Sequence, residues 1–351
     1  MSSTGTATPD AELEELLRRH RRELLAHCYR MVGSASEAED MVQETYLRAW
    51  KAYDAFEGRS SVRTWLYRIA TNVCLSNLEG RDRRPLPTGL GAPSLRADAP
   101  LVEREIPWLG PLPDALVTPA DPAEIAVEMD SVRLAFVAAL QLLPAKQRAV
   151  LILCEVLRWS AAEAAEALET SVAAVNSALQ RARATMGSLD PSDSRPAPLD
   201  ERQRQMLDAY VAAFWRKDVH AIAALLTRDA VWEMPPWEGW YQGADTIGAL
   251  IDTNCPGQDH DMPMLPTRAN GQPAFGLYMR EACLFGPDSY DRGEGLGDVF
   301  VPFQLHVLEL AGDKVSHVVA FFDPEAFALA GLPAQLTAGD VAAIAPLTPG
   351  S

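Results

Sequence analysis

Residues 160–183 read SAAEAAEALETSVAAVNSALQRAR, and this stretch decides the fold of the first half of the chain. Apolar residues recur at the helical period up to Leu168 and again from Val172, with the polar pair Glu169 and Thr170 between the two runs. Ser171 can cap the second run, so the pattern predicts two short helices joined by a tight turn, a helix-turn-helix. The second helix is expected to bury Val172, Val175, Ala178, Leu179 and Ala182.

The outward face of this second helix carries residue types that contact DNA. Asn, Gln and Arg side chains read base edges in the major groove, and Arg and Ser also hold phosphates. An amphipathic hairpin in a helical bundle would have the same spacing, so spacing alone leaves DNA binding and simple packing equally open. The expected DNA-contacting set is Ser171, Ala173, Ala174, Asn176, Ser177, Gln180, Arg181 and Arg183.

Two stretches nearer the N-terminus extend the helical pattern. Residues 38–51, AEDMVQETYLRAWK, form an amphipathic helix that is expected to bury Met41, Val42, Thr45, Leu47 and Trp50. Its opposite side is acidic and amide-rich, for which a solvated helix face is the simplest interpretation. Residues 56–78, FEGRSSVRTWLYRIATNVCLSNL, combine a polar loop with a helix that Ser60 or Ser61 can cap.

These stretches together resemble the sigma-70 family of bacterial initiation factors, in its group-4, extracytoplasmic-function branch. LLPAKQRAVLIL (142–153) followed by the helix-turn-helix looks like region 4, residues 38–51 like region 2.2, and residues 56–78 like regions 2.3 and 2.4. The resemblance implies a cytoplasmic factor that binds core RNA polymerase and directs promoter recognition, with no catalysis of its own. Its alanine-rich recognition face predicts weak binding to promoters without polymerase.

The resemblance also assigns roles to residues. Region 2.2 would dock on the β′ coiled coil and region 4 would meet the β flap, with promoter DNA as the second partner. The polymerase-binding set is Glu39, Asp40, Val42, Gln43, Glu44 and Leu47. The set for melting −10 DNA is Phe56, Arg59, Ser60, Ser61, Arg63, Arg68 and Asn72, and the helix from Ser171 to Arg183 would contact the −35 element.

Beyond residue 199 the pattern changes to helices followed by strands, which predicts an α+β domain. Its element order and the phrases DVHAIAALLTRDAVWEMPP (218–236) and GWYQGADTIGALI (239–251) resemble the SnoaL-like cone, and some group-4 sigma factors carry such a domain. We interpret it as regulatory; the alternative is an enzyme or small-molecule sensor that the helical half tethers to DNA. The expected pocket residues are Trp232, Met234, Trp237, Trp240, Tyr278, His306 and Phe321.

The fold class is therefore multidomain: two all-α sigma domains and an α+β cone. The expected divisions are region 2 (11–84), a linker (85–128), region 4 (129–188), a second linker (189–199), the cone (200–330) and a flexible tail (331–351). Within the first linker, IPWLGPLPD (106–114) is too apolar for a plain spacer, and we expect it to dock, with the C-terminal domain as the candidate. Control by a separate anti-sigma protein stays open.

Composition agrees with these expectations. The net charge is −17, but acidic and basic residues nearly balance up to Asp190, and arginines cluster between Arg59 and Arg84. The five cysteines are scattered without metal-ligand spacing, and we expect neither a metal nor a cofactor. The sequence has no apolar run of the roughly 20 residues that span a bilayer, so we expect no membrane contact and place the chain in the cytoplasm.

Overall fold

A computed structural model describes residues 9–118, 129, 131–187, 199–284 and 299–344. The chain forms two compact units: Met1–Arg84 with Leu116–Arg195, and Pro85–Ala115 with Pro196–Ser351. The second expected linker lies outside the described residues except for Leu199, as do residues 119–128 of the first and 345–351 of the tail. Within the described part, none of the helices is both long and apolar enough to cross a membrane.

The first unit opens with a bundle of three helices. They are α1 (Pro9–Val32), α2 (Ala35–Ala52) and α3 (Val62–Asn77), and a short 3₁₀ turn, Tyr53–Ala55, follows α2. The hydroxyls of Ser34 and Ser61 accept hydrogen bonds from the third residues of α2 and α3 and so fix where these helices begin. The helices predicted within residues 38–51 and 56–78 are confirmed as α2 and α3, because periodicity and caps are local signals.

The same unit continues with a second set of helices. They are α4 (Leu134–Gln141), α5 (Ala145–Leu151), a π-helical turn (Ile152–Val156), α6 (Ala161–Ala167) and α7 (Val172–Met186). Ser160 and Glu163 form a reciprocal capping box at the start of α6, and Ser171 caps α7. Between the two, Glu169 takes a left-handed backbone conformation with φ of 51°. The predicted helix-turn-helix is confirmed.

One expected core position of this motif is wrong. Val172 is 45% exposed, whereas Val175 is fully buried. Val172 is the first residue of α7 and precedes the point where α6 and α7 cross, so the crossing covers Val175 one turn later.

The second unit is a mixed α+β domain, as predicted. Its helices are α8 (Glu201–Trp215), α9 (Val219–Leu225), α10 (Ala244–Asn254), α11 (Glu281–Leu284), α12 (Pro324–Leu329) and α13 (Ala338–Ile344). Its strands are β1 (Leu226–Glu233), β2 (Trp240–Gln242), β3 (Met264–Ala269), β4 (Gln272–Arg280), β5 (Val299–Ala311), β6 (Lys314–Phe321) and β7 (Leu336–Thr337).

The strands form one sheet in the order β2-β1-β6-β5-β4-β3, with β7 paired to β5. Only the β1–β6 pair is parallel among the described pairings. Residues from α8, α9 and α10 pack with one face of the sheet around the buried Trp232, Phe214 and Leu250. The sequence did not predict β3, whose Pro266 is tolerated because the strand lies at the edge of the sheet.

The first part of the expected flexible tail is ordered against the sheet. β7 pairs with the beginning of β5, and the Tyr278 hydroxyl donates to the Pro333 carbonyl at 2.7 Å. Gly276 of β4 allows this approach, because a Cβ there would lie 2.5 Å from Leu332 and 2.9 Å from Phe327. The expectation of a loose tail is therefore wrong up to residue 344. The tail is held by the pairing of β7 with β5 and by the hydrogen bond from Tyr278, which no periodic pattern in the tail itself could indicate.

Candidate functional site

Helix α2 carries a solvent-facing stripe that is part acidic and part apolar. Asp40, Gln43, Leu47 and Trp50 recur at helical spacing, and all four are exposed. Leu47 is 58% and Trp50 47% exposed, so the expectation that both are buried is wrong. The bundle instead covers the opposite side of α2 through Thr45 and Ala49, because α1 and α3 pack on that side.

The other expected polymerase-binding residues take different positions. Val42 is fully buried in the bundle, which contradicts its assignment to a contact surface. Both carboxylate oxygens of Glu39 accept from Arg21 Nη2, at 2.7 and 2.6 Å, so this carboxylate joins α1 to α2. Glu44 pairs along the helix with Arg48. The exposed stripe of α2 therefore contains fewer of the expected polymerase-binding residues than the sequence indicated. It is also more apolar than expected, because Leu47 and Trp50 are exposed.

The residues expected at −10 DNA begin in the loop before α3. Arg59, Ser60 and Ser61 are exposed there. The Phe56 ring lies 4.8 Å from the Trp65 ring, centroid to centroid, and both side chains are half-buried. Arg59 pairs with the exposed Glu57 at 3.2 Å. An exposed cation and a partly open aromatic pair in the same loop region are groups that can hold a phosphate and stack an unpaired base.

Further along α3 the expected DNA contacts are already engaged within the protein. Arg63 Nε donates to Glu23 of α1 at 2.6 Å. Arg68 lies 3.7 Å from Glu166 and 3.5 Å from Glu169, the carboxylates at the end of α6. Asn72 Nδ2 donates to the Ala167 carbonyl at 3.4 Å. In this arrangement the end of α6, the first helix of the helix-turn-helix, and the turn after it contact the side of α3 that was expected to meet DNA.

Helix α7 leaves its expected DNA face open. All residues of the predicted DNA-contacting set are exposed: Ser171, Ala173, Ala174, Asn176, Ser177, Gln180, Arg181 and Arg183. Arg181 Nη1 donates to the Ser177 hydroxyl at 2.6 Å, which orders both side chains along the helix. Arg183 pairs with Glu155 of the π-helical turn. Asn176 and Gln180, one turn apart on this face, are of the side-chain types that can read base edges.

The α+β domain contains a cavity of about 240 Å³ beneath the helices. Its lining is almost entirely apolar and includes Leu101, Phe214, Trp232, Met234, Asn254 and Gln304. Of the expected pocket residues, Trp232, Met234 and Trp237 line it. The sequence missed Gln304 and Asn254, because nothing local distinguishes them from the other polar residues of β5 and α10.

Four expected pocket residues, Trp240, Tyr278, His306 and Phe321, do not line this cavity. Phe321 pairs with Leu305, so it shares the sheet face opposite Gln304. Tyr278 also points away and packs against Phe327, because it alternates along β4 with Leu277, which pairs with Gln304. Trp240 is on the edge strand β2, and its Nε1 donates to the Gly91 carbonyl at 2.9 Å.

His306 lies behind the cavity wall in a chain of hydrogen bonds. Its Nε2 is 2.8 Å from Gln304 Oε1, and its Nδ1 is 2.9 Å from the Tyr210 hydroxyl. Because an amide oxygen can only accept, Nε2 carries the imidazole proton and Nδ1 accepts from Tyr210. Complete burial lowers the pKa of His306 to about 3, so the ring is neutral near pH 7.

This burial predicts acid sensitivity of the α+β domain. The pKa of His306 is about 3 in the folded chain, against an ordinary value of 6.5. Between these two pH values the imidazole is protonated in the unfolded chain and neutral in the folded chain. The free energy of unfolding should therefore fall by about 1.4 kcal/mol per pH unit as pH drops through this window. In urea titrations of this domain, His306→Gln should remove that part of the slope. The same change at exposed His220 should keep the slope, and an unchanged slope in both variants would contradict the assignment.

Residues 85–115 pack on the α+β domain as part of the same unit, and a buried glutamate holds their beginning. Glu233 is fully buried, and its Oε2 accepts from the Thr88 N–H at 2.7 Å. Its other oxygen is 2.7 Å from His317 Nε2. This is an acid–histidine pair of the kind that proton transfer requires, but neither residue lines the cavity and one oxygen is occupied by the Thr88 backbone.

The apolar end of the segment is held in the same way. Asn270 is fully buried and exchanges two hydrogen bonds with Leu112: its N–H donates to the Leu112 carbonyl at 2.8 Å, and its Oδ1 accepts from the Leu112 N–H at 2.9 Å. Asp114 accepts from Arg268 Nε at 3.1 Å and from the Gly271 N–H at 2.8 Å. Burial raises the pKa of Asp114, while these two donors act to lower it. Sequence reasoning missed Glu233 and Asn270, because their partners are backbone groups more than a hundred residues away.

The loop 259–261 (Asp-His-Asp) does not present its acids as metal ligands. Asp261 Oδ1 accepts from Arg280 Nε at 2.6 Å, and Oδ2 accepts from the Gln258 N–H at 3.0 Å. The His260 ring lies 4.8 Å from that of Trp215. Among the residues described, no group of three His, Cys, Asp or Glu side chains is placed to hold a metal ion.

Comparison with protein families places both helical sets in known classes. A family model described as Sigma-70 region 2 matches residues 16–84, and one described as Sigma-70, region 4 matches residues 133–186. These ranges contain α2 and α3 in the first case, and α4 to α7 in the second.

Individual proteins extend the similarity over most of the chain. An ECF RNA polymerase sigma factor of Mycobacterium tuberculosis, SigG, is 54% identical over 321 residues, which cover 90% of this chain and 83% of that protein. The RNA polymerase sigma-H factor of Pseudomonas aeruginosa is 30% identical over 168 residues, 48% of this chain and 80% of its own length.

Among solved structures, the crystal structure of the M. tuberculosis extracytoplasmic function sigma factor SigJ superimposes with a TM-score of 0.53 and 21% identity. It covers 92% of this chain and 99% of that chain, so the likeness in fold includes the α+β domain.

Proposed function

Because this chain belongs to the extracytoplasmic-function family of RNA polymerase sigma factors, we propose that α2, α3 and α7 carry its contacts with polymerase and promoter. It functions in promoter recognition and transcription initiation with core RNA polymerase, as a non-catalytic subunit. The observation that carries the assignment is the 54% identity to SigG, which spans both sigma regions and the α+β domain. Its place of action in this proposal is the cytoplasm.

The proposed polymerase contact is the exposed stripe of α2. Leu47 and Trp50 supply apolar area at its centre, and Asp40 and Gln43 supply the acidic and amide groups beside them. This composition fits a basic coiled coil such as that of β′, because charge gives orientation and fast association while the apolar centre gives affinity. Glu39 and Glu44 are already paired with Arg21 and Arg48, so Asp40 is the main source of negative charge in this contact. The β flap would receive the region around α4 to α7.

The proposed −10 contact is the loop and first turns of α3. Phe56, Arg59, Ser60 and Ser61 are accessible in this state. Arg68 and Asn72 are engaged by α6, so they reach DNA only after the helix-turn-helix leaves α3. We propose that polymerase favours this separation, which makes the free chain a poor promoter binder.

The proposed −35 contact is the outward face of α7, and a double replacement tests it. Asn176→Ala with Gln180→Ala should lower initiation from a cognate promoter by about 30-fold or more, since one good bidentate base contact is worth about 1–3 kcal/mol. The measurement is run-off transcription with core enzyme. The matched control is Gln205→Ala on exposed α8. If the double variant transcribes as well as this control, α7 does not read the promoter.

The α+β domain is proposed to regulate the sigma regions. Residues 85–115 are the first part of the chain that connects region 2 to region 4. This segment is held on the α+β domain by Glu233, Asn270 and Arg268. An enzymatic role is disfavoured, because the Glu233–His317 pair lies outside the cavity. A separate anti-sigma protein would compete with polymerase for the apolar stripe of α2.

A further inference from the structure

Three sulfur atoms come together at the loop that follows α10. The Cys255 thiol donates to Met262 Sδ at 3.2 Å. Met279 of β4 reaches the same place, because its Sδ and that of Met262 each lie 2.9 Å from the point where a Cβ on Gly257 would be. Since residue 257 is glycine, this space is left to the two thioethers. We call Cys255, Met262 and Met279 the sulfur cluster.

The surroundings of the sulfur cluster support a thiolate at Cys255. Burial raises the pKa of this thiol, while the Gly257 N–H, which donates to the sulfur, and the nearby Lys217 act to lower it. Lys217 Nζ also donates to the Cys255 carbonyl at 3.0 Å. Positive charge and hydrogen-bond donors next to a sulfur are features that favour a metal-bound thiolate. Met262 and Met279 are fully buried, whereas Cys255 is partly exposed, so a metal ion can reach the thiol.

We propose that the sulfur cluster binds one Cu(I) ion, a soft monovalent cation, through the thiolate of Cys255 and the thioethers of Met262 and Met279. In this step the S–H bond of Cys255 breaks, a bond between sulfur and Cu(I) forms, and the proton leaves to water. The metal keeps its oxidation state. The bound site carries no net charge, because one thiolate balances one monovalent cation, and its burial avoids the cost of an unpaired charge.

The donor set argues against harder or divalent metal ions. Thioethers are soft, uncharged donors that suit Cu(I), whereas Zn²⁺ is held by thiolate, imidazole or carboxylate and Mg²⁺ requires oxygen ligands. The carboxylate of Asp261, next to Met262 in the chain, is already held by Arg280 Nε and by the Gln258 N–H. The spacing of the cysteines could not indicate this site, because two of its three donors are thioethers.

Methyl NMR of the full-length chain with ¹³C-labelled methionine methyls tests the site directly. Cu(I) is added without oxygen, with ascorbate as reductant and with excess bicinchoninate, a Cu(I) chelator that suppresses weak binding at the other cysteines. Among the 10 methionines, Met262 and Met279 should shift saturably. Met206, buried on α8 and outside the cluster, should keep its signal. Unchanged signals of both cluster methionines would overturn the proposal.

Replacement of single sulfur atoms gives the quantitative test. Met262→Leu and Met279→Leu keep a similar volume and remove one donor, so each should weaken Cu(I) affinity by at least about tenfold, since even the outer partners of metal ligands are worth about 10–100-fold. Cys255→Ser should abolish the shifts of both methyl signals. The matched control is Met206→Leu, which should bind Cu(I) like the wild-type chain. Equal weakening by this control and the cluster variants would overturn the proposal, and so would wild-type affinity in Cys255→Ser.

Two further metal ions test the class of metal. Ag(I), which is also soft and monovalent, should shift the methyl signals of Met262 and Met279 as Cu(I) does. Zn²⁺ should leave both in place, because thioethers hold it poorly. Equal shifts with Zn²⁺ would overturn the choice of Cu(I). Because neither polymerase nor DNA takes part, all these outcomes are independent of the proposed sigma function and of the transcription experiments.

Discussion

Replacing Arg148 by methionine is expected to lower the free energy of unfolding of the helical unit by about 3–5 kcal/mol. Arg148 is only 4% exposed, and burial lowers its pKa to about 10. The guanidinium donates to the Leu140 carbonyl at 2.9 Å, to the Leu143 carbonyl at 3.1 Å and to Gln141 Oε1 at 2.7 Å. It also donates to the carbonyl of Met31, at the end of α1.

The size of this effect follows from the groups that would be left behind. Methionine fills similar space but has no donor, so several oxygens inside the protein each lose a hydrogen bond. The Arg148 side chain, which belongs to α5, thus donates hydrogen bonds to oxygens at the end of α1 and at the end of α4. Its loss therefore weakens the packing of region 4 on region 2.

Urea unfolding monitored by hydrogen exchange in α1 and α5 measures this unit apart from the α+β domain. Arg158→Met is the control, because the Arg158 side chain is 77% exposed and lies 4.0 Å from its carboxylate partner. Such an exposed pair should contribute less than about 1 kcal/mol. Equal losses in the two variants would mean that the buried hydrogen bonds of Arg148 add nothing.

Replacing Leu47 by aspartate is expected to weaken binding to core RNA polymerase by about 30- to 100-fold, the range of a central apolar contact residue. Leu47 is 58% exposed and lies opposite the stripe that α2 buries, so the bundle should keep its stability. Aspartate at this position would remove the apolar area of Leu47 and would place a carboxylate, which must lose its hydration, at the centre of the interface, while Asp40 already supplies charge at its margin.

Fluorescence anisotropy of the labelled full-length chain with core enzyme measures this affinity. Leu284→Asp, the same change at a residue that is 40% exposed in the α+β domain, should bind polymerase like the wild-type chain. Circular dichroism checks that both variants keep their helices. Wild-type affinity in Leu47→Asp would show that the stripe of α2 is not the docking surface.

Much of the fold and part of the candidate site followed from the sequence. The capped helix within residues 56–78 and the helix-turn-helix depend on caps, periodicity and breaks, which act over a few residues. The exposed face of α7 followed for the same reason, since Val175, Ala178 and Ala182 fix which side is buried. The cavity was predictable only in part, through Trp232, Met234 and Trp237.

The sequence by itself thus determined the sigma family, the two helical regions and the α+β class of the C-terminal domain. Only the tertiary structure decided that Leu47 is exposed, that Tyr278 faces away from the cavity, and that residues 85–115 belong to the C-terminal unit. The physical reason is that periodicity gives the relative orientation of side chains within one element. Which side meets solvent, and which backbone groups a buried Glu233 or Asn270 satisfies, depends on elements distant in the chain.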